Sequence, residues 1–104
     1  MTTPNAQRGE AAFSLGGETI LLRPSFAALV AAEEELGPLF ALVERAAEGR
    51  LGIGEMASLF FHCAADRHDG VTRERIGEAI AEGGLARATP ALRVLLTQIL
   101  QGRI

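Results

Sequence analysis

The sequence predicts a mostly α-helical α+β fold in one compact domain, with an N-terminal β-hairpin followed by about five short helices. An alternating apolar segment with a central glycine pair opens the chain, and helix caps and glycine or proline stops recur after it. Apolar residues make up 48% of the 104 residues and charged residues 22%. A chain of this length has room for one core. We therefore expect a single domain over residues 9–104, preceded by a flexible tail over residues 1–8.

The hairpin is predicted from AAFSLGGETILL, residues 11–22. Phe13 and Leu15 alternate with small or polar residues, and Gly16-Gly17 can supply the positive backbone angles of a two-residue turn. Pro24 ends the second strand because it cannot donate to a sheet. An isolated hairpin is marginal in water, so one face should lie against the helices that follow.

The first two helices are predicted on either side of a very short joint. Ser25 is a good N-cap for FAALVAAEEEL. Gly37 suits the end of that helix and Pro38 the start of the next, which Gly49 closes. Phe26, Leu29, Val30 and Leu36 fall near one side of the first helix, and Leu39, Leu42, Val43 and Ala46 form a stripe on the second.

The third and fourth helices carry clear start and stop signals. The third is expected from about Gly54 to about Arg67, and the loop DRHDG follows it. Thr72 is the N-cap of the fourth helix, which ends at Gly83-Gly84. The core stripe of the third helix, at helical spacing, is Met56, Leu59, Phe60 and Cys63.

The last helix is predicted to start at Thr89 and Pro90, a cap followed by a proline at the first helical position. Its apolar face is broader than a core stripe requires, so part of that face is expected to bind another chain. Phe40 and Phe61 are further candidates for an exposed apolar surface. The predicted partner-binding residues are Leu92, Leu95, Leu96, Ile99, Leu100, Phe40 and Phe61.

Composition excludes several classes of function. All ten basic residues are arginines, scattered among thirteen acidic residues with a formal net charge of -3, which disfavours nucleic acid as the main partner. One cysteine cannot form an internal disulfide, and no stretch approaches the length of a membrane span. We expect a soluble cytoplasmic protein that contacts no membrane, with a homo-oligomer possible because the core has few large side chains.

The stretch HCAADRHDG, residues 62–70, raises the question of a metal or catalytic site. On a helix, Cys63 would lie on the apolar stripe, whereas His62 and Asp66 would share a face about 100° away. Neighbours along a helix do not face each other, and a buried thiol is a poor nucleophile. We predict a charged helix end with no metal, cofactor or catalytic residue. A small metal-binding enzyme or sensor using His62, Asp66, His68 and Asp69 remains the alternative from another class.

The order of these signals resembles the small tail protein of gene transfer agents and related tailed phages. The resemblance covers about residues 9–102 and is clearest before His62, since the family generally has a short loop where HCAADRHDG stands. Its matching features are Gly9-Glu10, the turn at Gly16-Gly17, Leu22-Arg23, Leu29, Glu34 or Glu35 with Leu36-Gly37, LVERAAEG over residues 42–49, and the EMASLF helix.

This resemblance implies a non-enzymatic role in tail morphogenesis. The family is described both as tail assembly chaperones and as tail tube proteins. A chaperone would hold the long helical tape-measure protein in an assembly-competent form while tube subunits polymerise around it. The implied partners are the tape-measure protein and other tail proteins. A structural tube component is the alternative within the same resemblance. The single predicted hairpin favours the chaperone, because tube subunits are expected to be rich in β-structure.

Overall fold

The computed structural model describes residues 10–102 and has the predicted order of elements. β1 (Ala11–Leu15) and β2 (Glu18–Leu22) form an antiparallel hairpin, and five helices follow. The helices are α1 (Phe26–Leu36), α2 (Leu39–Ala47), α3 (Ile53–Cys63), α4 (Arg73–Gly83) and α5 (Leu85–Gln101). The predicted fold class is therefore confirmed. The predicted tail over residues 1–8 lies outside the described residues.

The hairpin forms as its sequence predicts. Gly16 and Gly17 have φ values of 54° and 87°, the positive angles of a two-residue hairpin turn. Phe13 pairs with Ile20, and both side chains are buried on the face that meets the helices. The hairpin thus gains from the helices the apolar cover that two strands alone lack.

The outer edge of β2 is extended by the segment that follows α3. Leu22 forms an isolated antiparallel bridge with Ala64. The backbone N–H of Arg23 donates to the Cys63 carbonyl at 2.7 Å, and that of Ala65 donates to the Leu21 carbonyl at 2.9 Å. This pairing ends α3 at Cys63, four residues before the predicted end, because the backbone there bonds to the strand.

α1 packs differently from the predicted stripe. Ser25 caps it as expected, with its hydroxyl accepting from the Ala28 N–H at 3.2 Å. Ala32 is the fully buried residue of the helix, whereas Phe26 is 85% exposed and Val30 38% exposed. Small side chains on the inner face let α1 lie close to α3, and the larger ones at Phe26 and Val30 are left outside.

α5 starts four residues before its predicted N-cap. Gly84, with φ of 89°, ends α4 and at once precedes Leu85, the first residue of α5. Pro90 therefore lies inside the helix, and the hydroxyl of Thr89 donates to the Leu85 carbonyl instead of capping. The extra turn is stabilised by burial of Ala88, a tertiary contact that outweighs the local cap-and-proline signal.

The core is formed by the inner face of the hairpin and by the predicted stripe of α3. Phe60 is fully buried and meets the Phe13 ring edge-on, with ring centroids 5.2 Å apart. Leu42, Ile76, Ile80 and Leu95 add one or two buried side chains from each of α2, α4 and α5. α2 packs against α1, and α5 packs against α4 and β1, so that α2 and α5 lie side by side at the surface.

Candidate functional site: the groove between α2 and α5

An apolar groove of about 290 Å³ runs between α2 and α5. Leu92, Leu96 and Leu100 follow one another at i, i+4 and i+8, so they form one row along α5. The α2 wall consists of Val43, Ala46 and Ala47, and the polar residues around the groove are Thr89, Arg93, Thr97 and Gln101. A row of leucines facing a wall of small residues makes a channel suited to an apolar helix face.

The five predicted contact residues of α5 divide into two groups. Leu92, Leu96 and Leu100 line the groove. Leu95 is fully buried in the core, and Ile99 packs against the core; neither lines the groove. The structure therefore brings together part of the predicted surface, namely the row that points toward α2.

The two predicted phenylalanines lie apart from the groove lining. Phe40, near the start of α2, is 70% exposed. Phe61 is half-buried, and the guanidinium groups of Arg67 and Arg73 lie 4.7 and 4.8 Å from its ring centroid. Contacts of this kind stabilise an aromatic ring at the surface. Phe61 is therefore already packed within the chain, whereas Phe40 offers a free apolar side chain.

Glu35 joins three helices through one carboxylate. His62 Nε2 donates to Glu35 Oε1 at 2.7 Å, Ser58 Oγ donates to Oε2 at 2.9 Å, and Arg73 Nη2 donates to Oε1 at 2.6 Å. The His62 hydrogen bond, then that from Ser58, and the charge of Arg73 hold the pKa of Glu35 below its ordinary value of 4.5, although partial burial opposes them. This cluster connects α1, α3 and α4 and is structural in character.

His68 belongs to a separate cluster near the hairpin turn. Its Nε2 donates to the Glu18 carboxylate at 2.8 Å, and its Nδ1 accepts from the Gly70 N–H at 3.0 Å. Asp66 lies beyond the end of α3, so the predicted face shared by His62 and Asp66 is wrong. Within residues 10–102, no three His, Cys, Asp or Glu side chains are placed to hold one metal ion.

Cys63 lies in the core, as its position on the apolar stripe predicts. Its side chain is 1% exposed, and burial raises the pKa of the thiol to about 12. At neutral pH the thiol is protonated, so it lacks the thiolate that nucleophilic chemistry needs. The histidine and cysteine residues of HCAADRHDG therefore have different surroundings. His62 lies in the Glu35 cluster, His68 contacts Glu18 and Gly70, and Cys63 lies in the core.

Two features of the structure were not predicted from the sequence: the Glu35 cluster and the α2 wall of the groove. The Glu35 cluster joins residues more than twenty positions apart, so no local sequence pattern predicts it. The α2 wall of the groove was assigned wholly to the core stripe, although Val43 and Ala46 also border the groove. Their position beside the leucine row of α5 depends on tertiary packing, which helical spacing alone does not predict.

Comparison with known proteins gives one family. A family model described as "Phage tail tube protein, GTA-gp10" matches residues 8–102, nearly the whole chain. No match to a curated protein or to a solved structure was found. Among the described residues, no helix is long and apolar enough to span a membrane.

Proposed function

Because the chain belongs to the phage tail tube protein family GTA-gp10, we propose that it acts in tail morphogenesis as a non-catalytic assembly chaperone. Its client is the tape-measure protein, and the α2–α5 groove holds a helix of that client. The observation that carries this proposal is the groove itself, a leucine row facing a wall of small residues. Under this proposal no residue of the chain has a catalytic role.

The groove is long enough for a short helix. From Thr89 to Gln101 it follows twelve residue steps of α5, which correspond to about 18 Å or three helical turns. A client helix of similar length would lay its apolar face between Leu92, Leu96 and Leu100 and the α2 wall. Such binding is driven mainly by burial of apolar surface on both sides, at about 25 cal/mol per Å².

A structural role in the tail tube is the second candidate, and the description of the family favours it. Tube subunits are expected to form a ring by joining their β-sheets, and the sheet of this fold is small. Within residues 10–102 the sheet has two strands, and β2 is already bridged on its outer side by Ala64. Among the described residues, the free edge of β1 is where a neighbouring strand could pair in such an assembly.

Co-expression with the tape-measure protein of the same gene cluster tests the chaperone role. The wild-type chain should keep that protein in the soluble fraction and co-purify with it. Leu100→Glu should abolish retention because it places a charge in the groove, whereas Leu85→Glu should not. The two leucines are a matched pair: both lie on α5, with exposures of 52% and 54%, and Leu85 is outside the groove.

Two results would contradict the chaperone role. Equal retention by Leu100→Glu and the wild type would show that the groove is not the binding site. Detection of the chain in purified particles, at many copies per tail, would instead establish the structural role. Western blotting of particles against a dilution series of the purified chain gives that copy number.

A further inference from the structure

The outer side of α1 carries a surface that no other part of residues 10–102 covers. Phe26, Val30 and Glu34 follow one another at i, i+4 and i+8, so they form one row on the exposed side of the helix. Phe26 is 85% exposed, and Glu34 has no basic partner among residues 10–102. We call these three residues the α1 row. An apolar residue as exposed as Phe26 is typical of a contact surface.

The α2–α5 groove matches the α1 row in chemistry. Arg93 is the only charged residue among those lining the groove, and it has no acidic partner in the described part of the chain. One end of the groove is apolar at Leu100, and Arg93 lies toward the other end. The α1 row likewise has an apolar end at Phe26 and an acidic end at Glu34.

The two surfaces also match in length. Phe26 and Glu34 are eight residues apart, about 12 Å along a helix, whereas Arg93 and Leu100 are seven apart, about 10.5 Å. The long arginine side chain spans the difference. With α1 antiparallel to α5, Phe26 therefore reaches Leu100 while Glu34 reaches Arg93.

We propose that the chain self-associates head to tail, with the α1 row of one copy seated in the α2–α5 groove of the next. An α1 row that fills the groove must come from a second copy, because α1 is held in its own chain by its packing on α3. Each contact leaves a free groove at one end and a free α1 row at the other, so copies add until they close a ring or extend as an open chain.

This inference goes beyond the chaperone proposal and does not depend on it. A client helix and a second copy would compete for the same groove, so client binding would release self-associated copies. The buried contact is one short helix face, at the small end of protein interfaces. Association is accordingly expected to be weak and concentration-dependent.

Sedimentation velocity of the purified chain alone, from 10 µM to about 1 mM, tests the proposal. The wild type should show an average mass that rises with concentration. Phe26→Ala should weaken association about tenfold because it removes the aromatic anchor. Glu34→Arg and Arg93→Glu should each weaken it about three- to tenfold by placing like charges together.

The double variant Glu34→Arg/Arg93→Glu restores opposite charges across the contact and should regain most of the lost association. Glu78→Arg is the matched control, since Glu78 is an exposed acidic residue of α4 outside both surfaces. It should associate like the wild type. Circular dichroism on each variant confirms that the fold is retained.

A wild-type chain that stays monomeric to 1 mM would overturn the proposal. So would an effect of Glu78→Arg equal to that of Glu34→Arg, or a double variant no stronger than the single variants. Phe26→Ala separates this proposal from the chaperone role. It should lose self-association while retaining the tape-measure protein in co-expression, because Phe26 lies outside the groove.

Discussion

Glu35 shows how much one carboxylate contributes to the arrangement of the helices. It lies on α1 and accepts hydrogen bonds from side chains of α3 and α4. Ser58, one of its donors, is 7% exposed, so loss of the carboxylate would leave a buried hydroxyl without its partner. An unsatisfied buried polar group costs more than the hydrogen bond itself contributes.

Glu35→Gln is predicted to lower the free energy of unfolding by about 1–2 kcal/mol at pH 7. This value already allows for the screening of the partly exposed carboxylate by solvent. The pKa of Glu35 is lowered in the folded chain, so its stabilisation is fully present above the unfolded value near 4.5. That stabilisation is lost as pH falls through the lower folded value. Urea unfolding from pH 3 to 7 should therefore show the difference between wild type and variant shrinking below about pH 4.5.

Glu34→Gln is the control for this prediction, because Glu34 is the exposed neighbour on the same helix. It should change the stability little at any of these pH values. A difference for Glu35→Gln that stays constant down to pH 3 would contradict the assigned cause. The stabilisation would then not depend on the charge of the carboxylate.

Cys63 is predicted to react with a thiol reagent only when the chain opens. It is 1% exposed and burial raises its pKa to about 12, so at pH 8 both access and ionisation are unfavourable. Labelling by Ellman's reagent should be at least about a hundredfold slower in buffer than in 6 M urea, consistent with rare opening of the core. Rapid labelling of the folded chain would place this end of α3 at the surface.

Single residues with local roles were predicted well. Ser25 and Thr72 cap helices as their positions indicate, with hydroxyls accepting from the N–H groups of Ala28 and Arg75. Gly16 and Gly17 have the positive φ that their turn requires. A cap or a turn is decided by residues within four positions, which a single sequence displays. Glu35 could not be identified in the same way because its partners are distant in the chain.

At the scale of elements, α3 and α4 meet closely at Gly77. A Cβ at that position would lie 3.6 Å from the Ala57 Cβ, an ordinary contact. Gly77→Ala is therefore predicted to stabilise the chain by about 0.5–1 kcal/mol, because alanine loses less backbone entropy in a helix. Thermal unfolding measures the change.

Gly84→Ala provides the opposite case at the residue that follows the same helix. Gly84 has φ of 89°, a region that alanine avoids, so this variant should be destabilised by about 1 kcal/mol or more. If Gly77→Ala were the more damaging of the two, α3 and α4 would have to lie closer together than the Cβ distance allows. The pair thus tests both the packing and the sharp corner between α4 and α5.

The misplaced helix ends have a shared physical reason. α3 was predicted to continue to Arg67, but the Cys63 carbonyl accepts from the Arg23 N–H and the Ala65 N–H donates to the Leu21 carbonyl of β2 instead. α5 was predicted to begin at Thr89, but burial of Ala88 extends it back to Leu85. In both cases a contact between distant parts of the chain decides the boundary. Helical periodicity and capping signals contain no information about such contacts.

At the scale of the whole molecule, stability depends on few large side chains. Phe60 is fully buried and packs edge-on against Phe13 at the centre of the core. Phe60→Ala is predicted to cost about 3–5 kcal/mol, a large share of the stability of a domain this size. The midpoint of thermal unfolding should fall by more than about 12 °C.

Phe40→Ala is the matched control, since it removes the same atoms from a side chain that is 70% exposed. Its free energy of unfolding should change by no more than about 0.5 kcal/mol. Similar losses for the two variants would mean that Phe60 is not the centre of the core. The comparison also tests whether Phe40 is free, as its role as a contact candidate requires.

The candidate site was only half predictable for the same reason as the helix ends. The broad apolar face of α5 indicated a contact surface, and Leu92, Leu96 and Leu100 do line the groove. Leu95, on the same face, lies in the core because α5 turns that side inward. The opposite wall comes from α2, some fifty residues earlier, and its place beside α5 depends on the packing of α2 on α1 and of α5 on α4 and β1.

The origin of the groove in two distant helices has a consequence for anyone who wishes to block it. A synthetic peptide copied from α5 would contain every leucine of the row but would lack Val43, Ala46 and Ala47. At 17 residues it would also be marginally helical in water. Such a peptide is a poor mimic of the site, whereas antibodies raised against the folded chain would recognise a discontinuous epitope that spans both helices.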